Sequence, residues 1–171
     1  KSALDCGISA FDTAEGYGDG ESERRLGKAL GNKKYDVIVV SKIWPDASLT
    51  STTYQERLDN TLRAMNRDYV DVYLVHFPST YFDSVEKSEK LCELMELLKQ
   101  SGKAVTVGLS NFMASDLLRL GKEIQGFCIN QVPYNILQRE YEGETREICH
   151  KTGIGYMGYS PTAQGLLAGR L

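Results

Sequence analysis

The chain has 171 residues, of which 42% are hydrophobic and 25% charged. That is the length of one domain, enough to bury a core, with the ordinary composition of a soluble globular protein. A net charge of −3 and scattered Lys and Arg exclude the basic face that binding to nucleic acid or an anionic membrane requires.

No apolar stretch has the length of a membrane span. The opening residues "KSALDCGISAFD" carry neither the apolar run nor the cleavage site of a signal peptide. Cys6, Cys92, Cys128 and Cys149 form no CxxC pair. They read as reduced thiols of a cytoplasmic protein rather than as a disulfide frame or a zinc site.

In chain order, "SALDCG" reads as the tail of a helix, followed by the apolar run "ISAFDTA". "ESERRLGKALG" places Leu26, Ala29 and Leu30 on one helical face, with Gly31 as C-cap. "DVIVVSKI" is a β-branched run of the kind buried in parallel sheets. "YQERLDNTLRAMN" spaces Leu58, Leu62 and Met65 as a helix does, and "YVDVYLVHF" is strand-like again. In "SVEKSEKLCELMELLKQSGK", Leu91, Leu94, Met95 and Leu98 make a helix face that Gly102 ends. The strands "AVTVGLSNF", "GFCINQVPYN" and "IGYMGYSP" then alternate with the helices "ASDLLRLGKEI" and "EGETREICHKTG".

No linker interrupts the series, so residues 1–171 read as a single domain. Strict β–α alternation predicts a parallel α/β fold, either an open doubly wound sheet or a (β/α)8 TIM-type barrel. A G-x-G-x-x-G turn after the first strand would favour the former. The nearest approach, "YGDGESE", lacks the third glycine. The barrel is therefore expected, with six of its eight strands visible. The chain does not begin with Met and stops at "GLLAGRL", so it reads as a piece of a longer protein.

Every apolar run ends in a hydrogen-bonding or ionisable group: Asp12, Lys42, His76, Ser110 with Asn111, Asn130 with Gln131, and Tyr159 with Ser160. In a parallel barrel these ends converge on the rim that carries the active site. Singly, each has a bland reading as a cap, a solvated lysine, a core histidine or a surface aromatic. Lys42, however, lies among apolar residues in "VIVVSKIW", and a buried ammonium needs a partner. Asp12 is the candidate. Serine or cysteine elbows and HExxH-type metal clusters are absent from the sequence, and Asp12 with His76 lacks a third metal ligand.

Carbonyl reduction suits Asp12, Tyr17, Lys42 and His76 better. Hydride reaches the carbonyl carbon and the oxygen needs a proton. Tyrosine can give it if a nearby ammonium lowers its pKa from about 10. A carboxylate holds that ammonium, and a histidine orients the carbonyl.

"DTAEGYG", "VSKIWP", "LVHFP", "VGLSNF", "NQVPYN" and "GYSPTAQGLLAG" resemble, in this order, the signature segments of the aldo-keto reductases. The resemblance runs from that family's second barrel strand to just past its seventh. It implies a (β/α)8 barrel that reduces small-molecule aldehydes and ketones with a nicotinamide cofactor, usually NADPH and in some members NADH. Its catalytic tetrad falls on Asp12, Tyr17, Lys42 and His76. Tyr17 would be the proton donor, Lys42 its pKa tuner, Asp12 the ion-pair partner and His76 the carbonyl orienter.

The resemblance further implies that Ser110, Asn111 and Gln131 hold the nicotinamide carboxamide, and that Tyr159 stacks on the ring. Ser160 and "PTAQGLLAG" would lie near the pyrophosphate, and Trp44 would line the substrate pocket. Thr162 stands where the family often has Leu. The family's first strand and floor hairpin would precede Lys1. Its eighth strand, its C-terminal loops and its 2′-phosphate grip would follow Leu171. Two open strand edges imply self-association. A catalytically idle module that binds nucleotide or protein is the alternative reading. A phosphate-binding barrel enzyme is the third, and it leaves the tetrad unexplained.

Overall fold

The computed structural model describes residues 2–44, 48–78 and 84–169. Among them are the helices α1 (Ser2–Asp5), α2 (Glu21–Leu30), α3 (Ser51–Met65), α4 (Val85–Gln100), α5 (Ala114–Arg119) and α6 (Glu144–Thr152). They alternate with the strands β1 (Ala10–Asp12), β2 (Ile38–Ile43), β3 (Val70–Val75), β4 (Ala104–Ser110), β5 (Ile129–Pro133) and β6 (Gly155–Tyr159). The strands form one sheet in the order β1-β2-β3-β4-β5-β6, and every neighbouring pair is parallel. A doubly wound sheet reverses its strand order at a switch point. The unbroken sequential order excludes that alternative and matches a TIM-type barrel that is incomplete, as expected.

The local rules explain the elements. In β2 five of six residues are buried, because helices cover one face and the barrel interior the other. Thr50 caps α3 by accepting from Thr53 N at 3.2 Å. Ser84 caps α4 by accepting from Lys87 N at the same distance. Leu58, Leu62 and Met65 of α3 and Leu91, Leu94, Met95 and Leu98 of α4 are all buried. They pack with Val39, Tyr73 and Val107 between helices and sheet, each aliphatic side chain contributing about 1.5–3 kcal/mol.

Three details differ from the sequence reading. Ala29 is exposed, and the buried face of α2 is Glu23, Gly27 and Leu30. A methyl group on Gly27 would lie 2.3 Å from Met65 O. The bare glycine therefore lets α2 and α3 touch, and that contact sets the rotation of α2. The stretch "ASDLLRLGKEI" divides into α5 and a 3-10 turn at Gly121–Gly126, because Gly121 adopts a left-handed φ of 56°. After β6 comes a short 3-10 segment, Ala163–Ala168, kinked at Gln164 and Gly165. Lys1, Pro45 of "VSKIWP" and the last two residues of "GLLAGRL" lie outside the described residues.

β1 and β6 are the edges of the sheet. No described helix is long and apolar enough to cross a membrane.

Candidate active site

β1 ends in Asp12, and a short turn follows. Gly18, Asp19 and Gly20 all adopt left-handed φ values of 60°, 52° and 78°. This reversal brings α2 back against the sheet and leaves Tyr17 on the turn, 42% exposed. In β2 the side chains alternate. Ser41 points to the helix side, where its Oγ donates to Glu23 Oε1 at 2.6 Å. Lys42 points to the barrel side and is 1% exposed. Its Nζ donates to Asp12 Oδ2 at 2.6 Å and to Thr13 O at 2.7 Å. The Asp12 partner expected for a buried Lys42 is in place.

His76 follows β3 directly, and its backbone N–H donates to Ile43 O at 3.1 Å. Its ring stacks on Phe77 (4.5 Å between centroids, 11°) and meets the edge geometry of Trp44 (5.1 Å, 90°). The Tyr17 ring is 5.6 Å away. His76 Nδ1 is buried and has no hydrogen-bond partner among the described residues.

The ends of β4, β5 and β6 are tied together by polar side chains. Ser110 Oγ donates to Gln131 O at 3.0 Å. Asn111 is left-handed (φ 64°), a strained state that its surroundings over-determine. Its N–H donates to Gln131 O at 2.8 Å. Its Nδ2 donates to His76 O at 2.9 Å and to Ser110 Oγ at 3.0 Å. Its Oδ1 accepts from Tyr159 Oη at 2.9 Å, and its carbonyl from Tyr141 Oη at 3.3 Å. Gln131 Nε2 donates to Asp12 Oδ1 at 2.9 Å.

One cavity of about 490 Å³ opens at this rim. Asp12, Tyr17, Lys42, Trp44, His76, Ser110, Asn111, Gln131, Tyr159 and Ser160 all line it, together with Gly16 and Phe77. Asn130, the other strand-end polar residue, does not. Alternation turns it to the helix side, where its amide exchanges hydrogen bonds with Phe112 N (3.3 Å) and Phe112 O (2.8 Å). Gly16 and Phe77 were legible only as neighbours of Tyr17 and His76 in "DTAEGYG" and "LVHF".

Burial dominates the electrostatics. It pushes His76 down to about 4, with Lys42 adding to the effect and Asp12 opposing it, so the ring is neutral at pH 7. Burial also lowers Lys42 against the opposing pull of Asp12. Tyr17 is raised, by burial first and then by Asp12 and Tyr159. The expected depression by Lys42 is not the outcome. The ammonium stands 5.1 Å from the Tyr17 ring centroid, but its charge is closely matched by Asp12. The arrangement thus offers a protonated phenol, a neutral imidazole and a clamped ammonium beside a wall of amide and hydroxyl groups.

Residues 1–171 match the aldo/keto reductase family. The chain is 32% identical over 173 residues to methylglyoxal reductase YeaE of Escherichia coli (strain K12), covering all of this chain and 58% of that protein. It is 31% identical over 186 residues to an NADH-specific methylglyoxal reductase of the same organism, covering 97% of this chain and 56% of that one. The crystal structure of an aldo-keto reductase from Klebsiella pneumoniae in complex with NADPH aligns with a TM-score of 0.87 at 30% identity, over 96% of this chain and 56% of that one. The chain spans a little over half the length of these relatives. By sequence and by fold, it belongs to the aldo/keto reductase family.

Proposed function

We propose that this chain carries the catalytic rim of an NAD(P)H-dependent carbonyl reductase, which converts aldehydes or ketones to alcohols. The observation that carries the reading is the convergence of Asp12, Tyr17, Lys42 and His76 on one cavity whose other wall is Ser110, Asn111, Gln131 and Tyr159. The donor set fits a nicotinamide. Hydroxyl and amide groups of Ser110, Asn111 and Gln131 offer the mixed donors and acceptors a carboxamide needs, and Tyr159 presents an aromatic face. When bound, the cofactor supplies the hydride that goes to the carbonyl carbon.

The chain's own residues handle the proton. Tyr17 Oη carries its proton at neutral pH and delivers it to the carbonyl oxygen. Lys42 Nζ faces the resulting phenolate, and Asp12 holds that ammonium in place. His76, neutral and braced between Phe77 and Trp44, orients the carbonyl by a hydrogen bond. The exposure of Tyr17 lets solvent restore the proton. The names of the two Escherichia coli relatives favour small 2-oxoaldehydes as the substrate class. NADPH in the Klebsiella structure and NADH in one relative's name leave both cofactors within the reading.

Two secondary points complete the proposal. All four cysteines are free, which supports a cytoplasmic protein. β1 and β6 are the edges of the described sheet, and self-association of copies would pair strands there.

The test is a progress curve at the nicotinamide absorbance band with NADPH and an aromatic aldehyde or methylglyoxal. Turnover is expected, and Tyr17→Phe should lower kcat by about 10²–10⁴-fold while keeping cofactor affinity. Binding of NADPH without turnover by the unaltered chain would favour the idle nucleotide-binding module. No NADPH binding at all defeats the reductase reading.

A further inference from the structure

Glu15 lies between the catalytic candidates Asp12 and Tyr17 without lining their cavity. Its carboxylate faces the other way, toward α3. Arg57 of that helix grips it from two nitrogens, with Nη2 to Glu15 Oε1 at 2.7 Å and Nε to Oε1 and Oε2 at 3.1 Å each. The two side chains are only 16% and 25% exposed, so the fork is largely shielded from solvent and fixes direction as well as distance.

The same Glu15 Oε1 accepts the backbone N–H of Trp44. The Trp44 ring then lies on Gly16 so closely that a methyl group there would stand 2.9 Å from Cε3. The same ring makes edge contacts with His76 (5.1 Å between centroids, 90°) and Phe77 (5.6 Å, 79°). Trp44 and Gly16 also line a second cavity of about 380 Å³ with Glu15, Asp19 and Arg57. Trp44 is thus the partition between that cavity and the one holding Tyr17.

We propose that Arg57 and Glu15 are positioning residues for the substrate. Their ion pair holds the Trp44 backbone, seats its ring on Gly16, and so sets the space open to the carbonyl compound beside Tyr17 and His76. Among the described residues the Glu15 side chain bears on Arg57 and Trp44, and only its backbone N–H reaches the catalytic strand ends, at Lys42 O (3.4 Å). No described hydrogen bond joins Glu15 or Arg57 to Ser110, Asn111 or Gln131, so substrate binding is the quantity the ion pair governs. This inference rests on the carbonyl-reductase reading for its kinetic arm only.

Trp44 is the one tryptophan in the chain, so its fluorescence reports the partition directly. Arg57→Met and Glu15→Ala are expected to red-shift the emission and to increase acrylamide quenching. Glu15→Gln keeps an acceptor for the Trp44 N–H and should fall between these and the parent chain. In the kinetic arm, Arg57→Met should raise KM for the carbonyl compound about 10-fold, with kcat and NADPH affinity within about 3-fold of the parent.

Unchanged quenching in Glu15→Gln and Arg57→Met, measured on samples with native circular dichroism, overturns the proposal. A matching loss of NADPH affinity also overturns it, because it marks general damage to the site. If the parent chain reduces no carbonyl compound, the reductase reading fails, and the quenching comparison still decides whether this ion pair holds Trp44.

Discussion

Gln131 and Asp12 are 119 positions apart, yet Gln131 Nε2 donates to Asp12 Oδ1 at 2.9 Å. β1 and β5 are not neighbours in the sheet, so the bond crosses the mouth of the curled sheet. The other carboxylate oxygen accepts from Lys42 at 2.6 Å. Asp12 therefore holds the ammonium of β2 and the amide of β5 at once. In the proposed reductase, it couples the proton-handling side of the site to the carboxamide side.

Asp12→Asn removes the charge and keeps the shape. An asparagine cannot accept on both sides and leaves Lys42 buried without a counter-ion. Breaking a fully buried pair costs about 3–5 kcal/mol, and the 41% exposure of the Asp12 side chain reduces that, so a loss of about 1–3 kcal/mol is expected. Urea unfolding at pH 7 measures it. A midpoint equal to that of the parent chain would show that solvent already compensates Lys42.

His76 gives the fold an acid sensitivity of definite sign. Its ordinary value of 6.5 falls to about 4 in the folded chain. As the pH drops below 6.5 the unfolded chain takes up a proton first, so stability is lost down to about pH 4 and changes no further below it. At pH 5 the loss from this group is about 2 kcal/mol. Unfolding free energies at pH 7 and pH 5, for the parent and for His76→Gln, isolate it. The variant should show the smaller difference between the two pH values.

Gly27→Ala reverses a familiar trend. At an exposed helix position, replacing glycine by alanine stabilises by about 1 kcal/mol. Here the new methyl would press on the Met65 carbonyl at 2.3 Å, and neither backbone can move without separating α2 from α3. Overpacking of this kind costs about 1–3 kcal/mol, which exceeds the helical gain. A thermal melt should show a lower midpoint than the parent. An increase would mean that α2 is not held by this contact.

The contrast between legible and hidden features follows from their range. Asp12, Lys42 and His76 could be read because each sits at the end of an apolar run, and parallel strands bring those ends together whatever the helices do. Gln131 contacts Asp12 only because the whole sheet curls, and Arg57 reaches Glu15 only because α3 packs beside the Tyr17 turn. Neither distance is encoded locally. Hydrophobic spacing puts Ala29 on the buried face because it ignores the steric room that the bare Gly27 gives to the backbone of α3. The direction of the Tyr17 shift is hidden for a related reason. Proximity to Lys42 is readable from the motif order, but its contest with burial depends on the depth of the cavity.

Glu23 supplies the opposite sign to His76. It is 2% exposed behind β2, and burial raises its pKa above the ordinary 4.5 while the Ser41 bond opposes the shift. The folded chain thus binds this proton more tightly than the unfolded chain. Its contribution to stability is full below about pH 4.5 and is lost as the pH rises through the raised value. Glu23→Gln should remove that dependence. The amide oxygen can still accept from Ser41 Oγ, and the new N–H group can serve the buried Thr61 hydroxyl, which in the parent opposes the shift of Glu23 together with Ser41. With the buried charge gone, the variant should be as stable as the parent at pH 7 or up to about 1 kcal/mol more stable. Urea midpoints at pH 7 and pH 5, taken in the His76→Gln background to silence the opposing group, decide the matter. A variant less stable than its parent at pH 7 would show that the carboxylate itself, held by Ser41, is what fixes α2 against β2.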